Sequence, residues 1–354
     1  MSDTAGEEWR MPKGPVTSPR LQDVAEAAGV SIATASRSLS GATGVSASVA
    51  ERVRETARTM GYVVNLHARS LAGGATRSVG LLVHEIGDPY FSEIASGVLG
   101  VGSREGLTVQ ICHTGRDPER ELAQLRTLIA HRVGAIIVAG SGMVDPALQA
   151  PAKAELQAFR RSGGRVAVIG RHHLGVDAVL PDNTDGARSV AQHLLDLGHR
   201  RIALAAGSRE LTTVADRIAG VEAAFTAAGL DFADVPVVEA DFTRAGGKVA
   251  ADELLVSHPE VTAVLALNDD MAIGVLSTMR ARGVSVPGQV SVTGFDDVAV
   301  AGDLAPSLTT VRLPMAEMGE QALLLALKEP GTRPRRRHVG AELVVRDSSG
   351  RPPS

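Results

Sequence analysis

Residues Leu21–Leu39, LQDVAEAAGVSIATASRSL, decide how the amino-terminal part of this chain is read. Leu21, Val24, Ala25 and Ala28 recur at helical spacing and give a first short helix one apolar stripe. Gly29 breaks it. Val30 sits in a turn, and Ser31 is placed to cap a second helix whose inner face carries Thr34, Ala35, Ser38 and Leu39. Ile32, Ala33, Ser36 and Arg37 then point outward. Small apolar groups, a hydroxyl and one arginine on a helix that follows a glycine turn have the chemistry to enter a major groove. The arginine pairs with guanine through two hydrogen bonds, and methyl groups meet thymine methyls. The same pattern also fits an ordinary two-helix corner.

Further along, Ser46 is placed to cap a third helix, in which Val49, Val53, Ala57 and Met60 close a small core. Arg52, Arg54 and Arg58 occupy its other faces, where they are either solvated or touch phosphates. Gly61-Tyr62 ends this helix, and Asn65 to Ala72 carries a helical pattern too short to be stable alone in water. Between Met11 and Gly74, seven Lys and Arg stand against four acids, whereas residues 75–354 carry a net −5. A basic head on an acidic body is consistent with phosphate contact by the head alone.

The whole chain, 354 residues with 44% hydrophobic and 21% charged, suits two or three compact units. Aromatics make up only 3%, so the core is expected to be aliphatic. The single cysteine, Cys112, has no partner for an internal disulfide, and no Cys/His cluster has zinc-ligand spacing, which fits a reducing cytoplasm. Residues 1–19 read as a polar, disordered tail without a signal peptide, and no run approaches the roughly 18 apolar residues of a membrane span. A cytoplasmic protein without membrane contact is expected.

From Val79 the pattern becomes strand-helix alternation. VGLLV, LTVQIC, GAIIVAG, RVAVIG, RIALAAG, PVVEA, TAVLALN and SVTGFD are short apolar runs of buried-strand type, separated by helical stretches such as Phe91–Glu105 and Glu119–His131. They imply doubly wound parallel sheets with helices on both faces, and too many strands for one small sheet. Cys112 falls in one of these runs and is expected to be an inert core thiol.

DVAEAAGVSIATASRSLSG from Asp23, VSASVAERVRETARTMGYVVN from Val45 and ARSLAGGATRSVGLLV from Ala68 together resemble the DNA-binding headpiece and hinge of the lactose repressor and galactose repressor family of bacterial transcription regulators. The resemblance runs from Leu21 to Ser348. It implies a small all-α helix-turn-helix headpiece at 20–64 and a hinge helix at 65–76. It also implies an α/β periplasmic-binding-protein-like (type I) core at 77–350, made of two doubly wound parallel-sheet subdomains. The N-subdomain would take about 77–181 and 312–339 and the C-subdomain about 182–311 and 340–350, with crossings near Pro181, Val311 and Gly340. By the same resemblance Ser31, Ile32, Ala33, Thr34, Ser36, Arg37, Ser46 and Asn65 would contact DNA. Leu71, on paired hinge helices, would wedge into the minor groove. The expected function is a sequence-specific regulator, usually a repressor, that binds a palindromic double-stranded DNA operator as a homodimer. A small metabolite in the cleft would control it, by induction or corepression. The tail RDSSGRPPS lacks the leucine heptads of a tetramer seam, which leaves a dimer.

Ligands of open α/β sheets bind at the carboxyl ends of the strands. That rule selects Asp88, Tyr90, Phe91, Arg171, Asn183, Arg217, Phe242, Asn268, Asp269 and Asp296 as candidate effector residues, each of which taken singly could also be a turn residue or helix cap. In the family, aromatic side chains at these positions stack on the ligand while Arg, Asn and Asp form forks to hydroxyls or carbonyls. Leu313 stands where the family often has glutamine, and Gly170 where it has aspartate beside the arginine. These losses suggest a less hydroxylated, phosphorylated or otherwise modified ligand rather than a free hexose. Val49 and Ala50 stand where Thr and Arg are common, which removes one or two phosphate contacts.

Enzyme readings find little support. The Gly100–Gly106 segment has the wrong glycine spacing, and GxxxxGK[ST] and HExxH motifs are absent. His172-His173 read as exposed loop histidines and Arg333 to Arg337 as a solvated loop. No cofactor or metal is implied. A solute-binding protein of a transporter shares the cleft but leaves Leu21 to Gly74 unexplained.

Overall fold

The computed structural model describes residues 19–62, 77–329 and 331–353, and the chain divides into two compact units between Ala75 and Thr76. The expected tail and the hinge segment, with Asn65 and Leu71, lie outside the described residues.

The first unit contains α1 (Leu21–Ala27), α2 (Ile32–Ser40) and α3 (Ala47–Thr59). Both serine caps form: Thr34 N donates to Ser31 Oγ at 3.1 Å and Val49 N to Ser46 Oγ at 3.4 Å. Gly29, at φ +65°, supplies the left-handed residue that lets α1 turn into α2. Val24, Ala25, Ala28, Ala35, Val53 and Ala57 form the small core. Ala50 is also buried, so its methyl faces inward.

The second unit alternates β1 (Ser78–Val83), α4 (Pro89–Glu105), β2 (Thr108–His113), α5 (Pro118–Ala130), β3 (Ala135–Ala139), α6 (Ala150–Arg161), β4 (Arg165–Ile169) and β5 (Asp177–Pro181). It continues with α7 (Asn183–Asp196), β6 (Ile202–Ala206), α8 (Thr212–Ala227), β7 (Val237–Glu239), α9 (Arg244–Ser257), β8 (Ala263–Ala266), α10 (Asp269–Ala281) and β9 (Ser291–Thr293). The last elements are β10 (Thr310–Arg312), α11 (Met315–Leu327), β11 (Arg336–Val339) and β12 (Glu342–Val344). A parallel sheet of order β11-β5-β4-β3-β1-β2 and a parallel sheet of order β7-β6-β8-β9 result, with an antiparallel ribbon β10-β12. The chain therefore leaves the larger sheet after Pro181, returns through β10, and leaves it again after Val339. Both sheets are filled by Val, Leu, Ile and Ala, as the low aromatic content requires. α4 and α11 cross so closely that a Cβ on Gly97 would lie 1.9 Å from Ala316 O, and one on Gly319 2.1 Å from Ile94 O.

All eight apolar runs are strands. β5, β10, β11 and β12 escaped the reading because they are short or polar and one face of each is exposed or half-buried. Three expectations are corrected. Arg333 to Arg337 is not simply a solvated loop: Arg336 and Arg337 open β11, an edge strand paired in parallel with β5. Arg335 ties it down with a guanidinium fork on Asp177 at 2.6 and 2.9 Å. Cys112 lies on the edge strand β2 and is half-buried, not in the core, although partial burial still pushes its thiol up. His172 and His173 are half-buried: Nε2–H of His172 donates to Gly140 O at 3.0 Å and its Nδ1 accepts from Gln149 Nε2 at 3.0 Å. Burial pulls the His172 imidazole down to about 4, so it is neutral.

Among the described residues, no helix is long and apolar enough to cross a membrane, and no His, Cys, Asp or Glu group is placed to hold a metal ion.

Glu121 on α5 is 8% exposed, and burial pushes its carboxyl up from 4.5 to about 7. A folded value above the unfolded one means that this site stabilises the fold below about pH 4.5 and loses that contribution as pH rises through 7. In urea unfolding, Glu121→Gln is expected to be more stable than the parent at pH 8 by on the order of 3 kcal/mol, the difference shrinking toward pH 4. A difference independent of pH would show that the carboxyl is solvated.

Candidate functional site

On the head, α2 exposes Ile32, Ala33, Ser36 and Arg37. Ala35 and Ser38 are buried, so the amphipathic reading of this helix holds. Ser31 and Ser46 sit at the exposed starts of α2 and α3, Thr34 is half-buried, and the Ser31 and Thr34 hydroxyls lie 2.8 Å apart. Arg37 Nε donates to Ala33 O at 3.3 Å, which lays its stem along the helix.

In the second unit, a cleft lies between the ends of β1 and β3 on one side and α8, β8 and β9 on the other. Tyr90, Phe91 and Phe242 supply its aromatic surface, and Asp88, Arg217, Asn268 and Asp296 also line it. Asp88 caps α4 by accepting from Tyr90 N at 3.0 Å. Asn268 caps α10 by accepting from Met271 N at 2.9 Å. For these two residues, cap and cleft wall are the same position.

Arg217 is 2% exposed. Its Nε donates to Asn183 Oδ1 at 2.9 Å, its Nη2 to Asp296 Oδ1 at 2.9 Å and its Nη1 to Leu267 O, while its plane stacks 3.7 Å from the Phe295 ring centre. Burial pushes the Asp296 carboxyl well up, and the guanidinium opposes that shift. Asp296 also adopts φ +121°, a strained conformation for a residue with a side chain. It is held there because its N donates to Val311 O at 2.7 Å and its O accepts from Leu313 N at 3.2 Å.

Three candidates stand outside the lining. Asn183 lies behind it, holding Arg217. Asp269 is fully buried, accepts from Thr310 Oγ1 and Val298 N, and is pushed up to about 6 by burial; its neighbour Asn268 takes the cleft position. Arg171 pairs instead with Asp216 at 2.6 Å.

Six cleft residues were missed: His84, Arg116, Gly140, Ser141, Leu211 and Thr213. The strand-end rule, applied to β1, β2 and β3, reaches the first four. His84 is pulled down to about 3 by burial and then by the Arg116 charge, so it is neutral. Because Ser141 O can only accept, His84 Nε2 carries the hydrogen and donates to it at 3.1 Å, while Nδ1 takes the Thr114 hydroxyl at 3.0 Å. Arg116 has a partner, but a looser one. Its side chain is 19% exposed, burial pulls its guanidinium down, its Nη2 lies 3.8 Å from Asp88 Oδ2, and it makes no hydrogen bond among the described residues. A donor fork and a carboxylate at that separation suit two neighbouring hydroxyls, one accepting and one donating, with the Phe242 ring 5.7 Å from the guanidinium carbon.

Residues 20–65 match the family described as bacterial regulatory proteins, lacI family, and residues 76–340 match the periplasmic binding proteins and sugar binding domain of LacI family. The chain belongs to the LacI family. It is 32% identical over 93% of its length to the transcriptional regulator DegA of Bacillus subtilis, covering 97% of that protein. It is also 32% identical over 89% of its length to GalR of Escherichia coli, covering 90% of that protein. Among solved structures, a complex of the transcriptional regulator CelR with cellobiose superposes with a TM-score of 0.69 at 30% identity, over 93% of this chain and 99% of that one. This is thus a LacI-family transcriptional regulator with a sugar-binding domain.

In this LacI-family core the Arg217–Asp296 pair is almost fully desolvated, so removing one partner strands the other. Asp296→Ala is expected to lower unfolding stability by about 3–5 kcal/mol in urea titration. A loss under about 1 kcal/mol, the size of an exposed pair, would show that Arg217 is satisfied without it.

Proposed function

We propose that this regulator binds an inverted-repeat operator as a homodimer and represses transcription, and that a sugar or modified sugar in the cleft changes its affinity for DNA. What carries the reading is the presence in one chain of an exposed α2 face bearing Arg37 and a cleft in which Arg116, without a hydrogen bond among the described residues, stands beside the acceptor Asp88. Ile32, Ala33 and Arg37 would read base edges, while Ser31, Thr34, Ser36 and Ser46 would support them on the backbone.

The cleft chemistry favours a neutral polyol. Glu85, Asp241 and Asp270 join Asp88 in the field around Arg116, and so many carboxylates disfavour a doubly charged phosphate. The losses at Leu313 and Gly170 do not make the site apolar. Leu313 is buried, and Gly170, at φ +103°, has Gly140 O only 2.5 Å from where a Cβ would stand, so this backbone has no room there for a side chain. Arg116, Ser141 and Thr213 supply polar groups in their place. Asp88, Tyr90, Phe91, Phe242, Asn268 and Asp296 would hold the ligand directly. Arg217 would act with Asn183 and Asp269 behind it as the frame. No catalytic step is required of any of these groups, and a transporter's solute-binding protein would leave the head without a role.

Selecting duplexes from a random pool with the full chain tests the DNA half. An enriched inverted repeat is expected, for which Arg37→Ala binds at least about tenfold more weakly while non-specific binding persists. A pool with no enriched repeat would overturn it. Calorimetric titration with a panel of mono- and disaccharides and their phosphates tests the other half. One neutral sugar is expected to bind, and Arg116→Ala to weaken it by about ten- to hundredfold, the worth of a charged hydrogen bond. Preference for a phosphorylated compound would contradict the neutral ligand.

A further inference from the structure

The two halves of the core are joined by the three chain crossings and, among the described residues, by a hydrogen-bonded clasp that can break. The loop after β3 pairs with the segment leading into α8: Val144 N donates to Glu210 O at 2.7 Å and Thr212 N to Gly142 O at 2.9 Å, with Met143 opposite Leu211 in an antiparallel bridge. The fully buried Thr212 donates its hydroxyl to Arg171 O at 2.8 Å. Ser141 Oγ lies 3.2 Å from that hydroxyl and accepts from Thr213 N at 3.0 Å. On the outer side, the Arg171 guanidinium forks onto Asp216 at 2.6 and 3.1 Å.

We infer that this clasp is a latch across the cleft, with Arg171 and Asp216 as its positioning residues, and that its strength sets the resting balance between closed and open cleft. Subdomain separation about the crossings has to break every one of these bonds. Their strength is graded. Arg171 and Asp216 keep side-chain exposures of 45% and 25%, so their attraction is screened and the latch is easily released. Ser141 and Thr213 belong to both clasp and cleft wall, so a ligand touching them touches the latch. Gly142, whose carbonyl takes the Thr212 amide, is itself packed tightly against its own half: a Cβ there would lie 2.3 Å from Arg171 O, so a side chain would shift this loop. This assignment gives Arg171 a role other than ligand contact, and it rests on reading the cleft as the effector site.

Amide hydrogen exchange on the full chain, without DNA or sugar, tests the latch directly, because the Val144 and Thr212 amides are themselves its bonds. Asp216→Ala is expected to speed exchange at these two amides about two- to fivefold at low salt while leaving β3 and β8 unchanged. The swap Arg171→Asp/Asp216→Arg is expected to restore protection. Gly142→Ala, which displaces the loop without altering charge, should speed both amides regardless of salt. Parental exchange rates in Asp216→Ala, or a swap that fails to restore them, would overturn the latch. Neither result depends on whether the protein binds an operator or a sugar, so loss of the effector reading would show itself separately, in the titrations.

Discussion

A guanidinium taken out of water must find acceptors for its donors, and around Arg217 that requirement organises the core. One side chain joins Asn183 at the start of α7, the carbonyl that follows β8 and Asp296 beyond β9. Asp296 in turn is bonded on both backbone sides to the crossing strand β10. The next residue, Asp297, receives Arg312 and Arg346, each at 2.7 Å. A charge network thus runs from the cleft wall into the strand by which the chain passes between its two sheets, so a ligand that displaces Asp296 also loads a crossing. Effectors act only through unequal affinity for two arrangements, and on the proposed function this network would be a physical route for that inequality.

Much of the fold was legible because it rests on periodicity. The α2 stripe, the serine caps and the eight apolar strands are local patterns, and each appears where the residues place it. What the sequence concealed is edge structure. β11, RRHV, has three exposed residues and pairs on one side only, so charge there costs nothing and the apolar signal vanishes. β2 carries an apolar run yet lies at the other edge, which is why Cys112 was placed too deep.

The cleft was half legible for a related reason. Strand-end position identifies which residues come near, but not which way they face. Asn268 and Asp269 are neighbours, yet one lines the cleft and the other is sealed against Thr310. Arg171 follows its strand as expected and turns instead to Asp216, 45 residues on, a partner that local spacing does not reveal. Arg116 and His84 belong to the same geometry but sit in polar turns that carry no apolar signature of their own.

Mutual linkage between cleft and head is the central claim, and thermodynamics makes it testable from either side. The decisive measurement takes a sugar that binds the purified protein and determines its affinity with and without saturating selected operator, alongside operator affinity with and without saturating sugar. The expected result is the same factor in both directions, on the order of 5- to 150-fold. Equal sugar affinity for free and DNA-bound protein, with operator affinity unmoved by sugar, would contradict it.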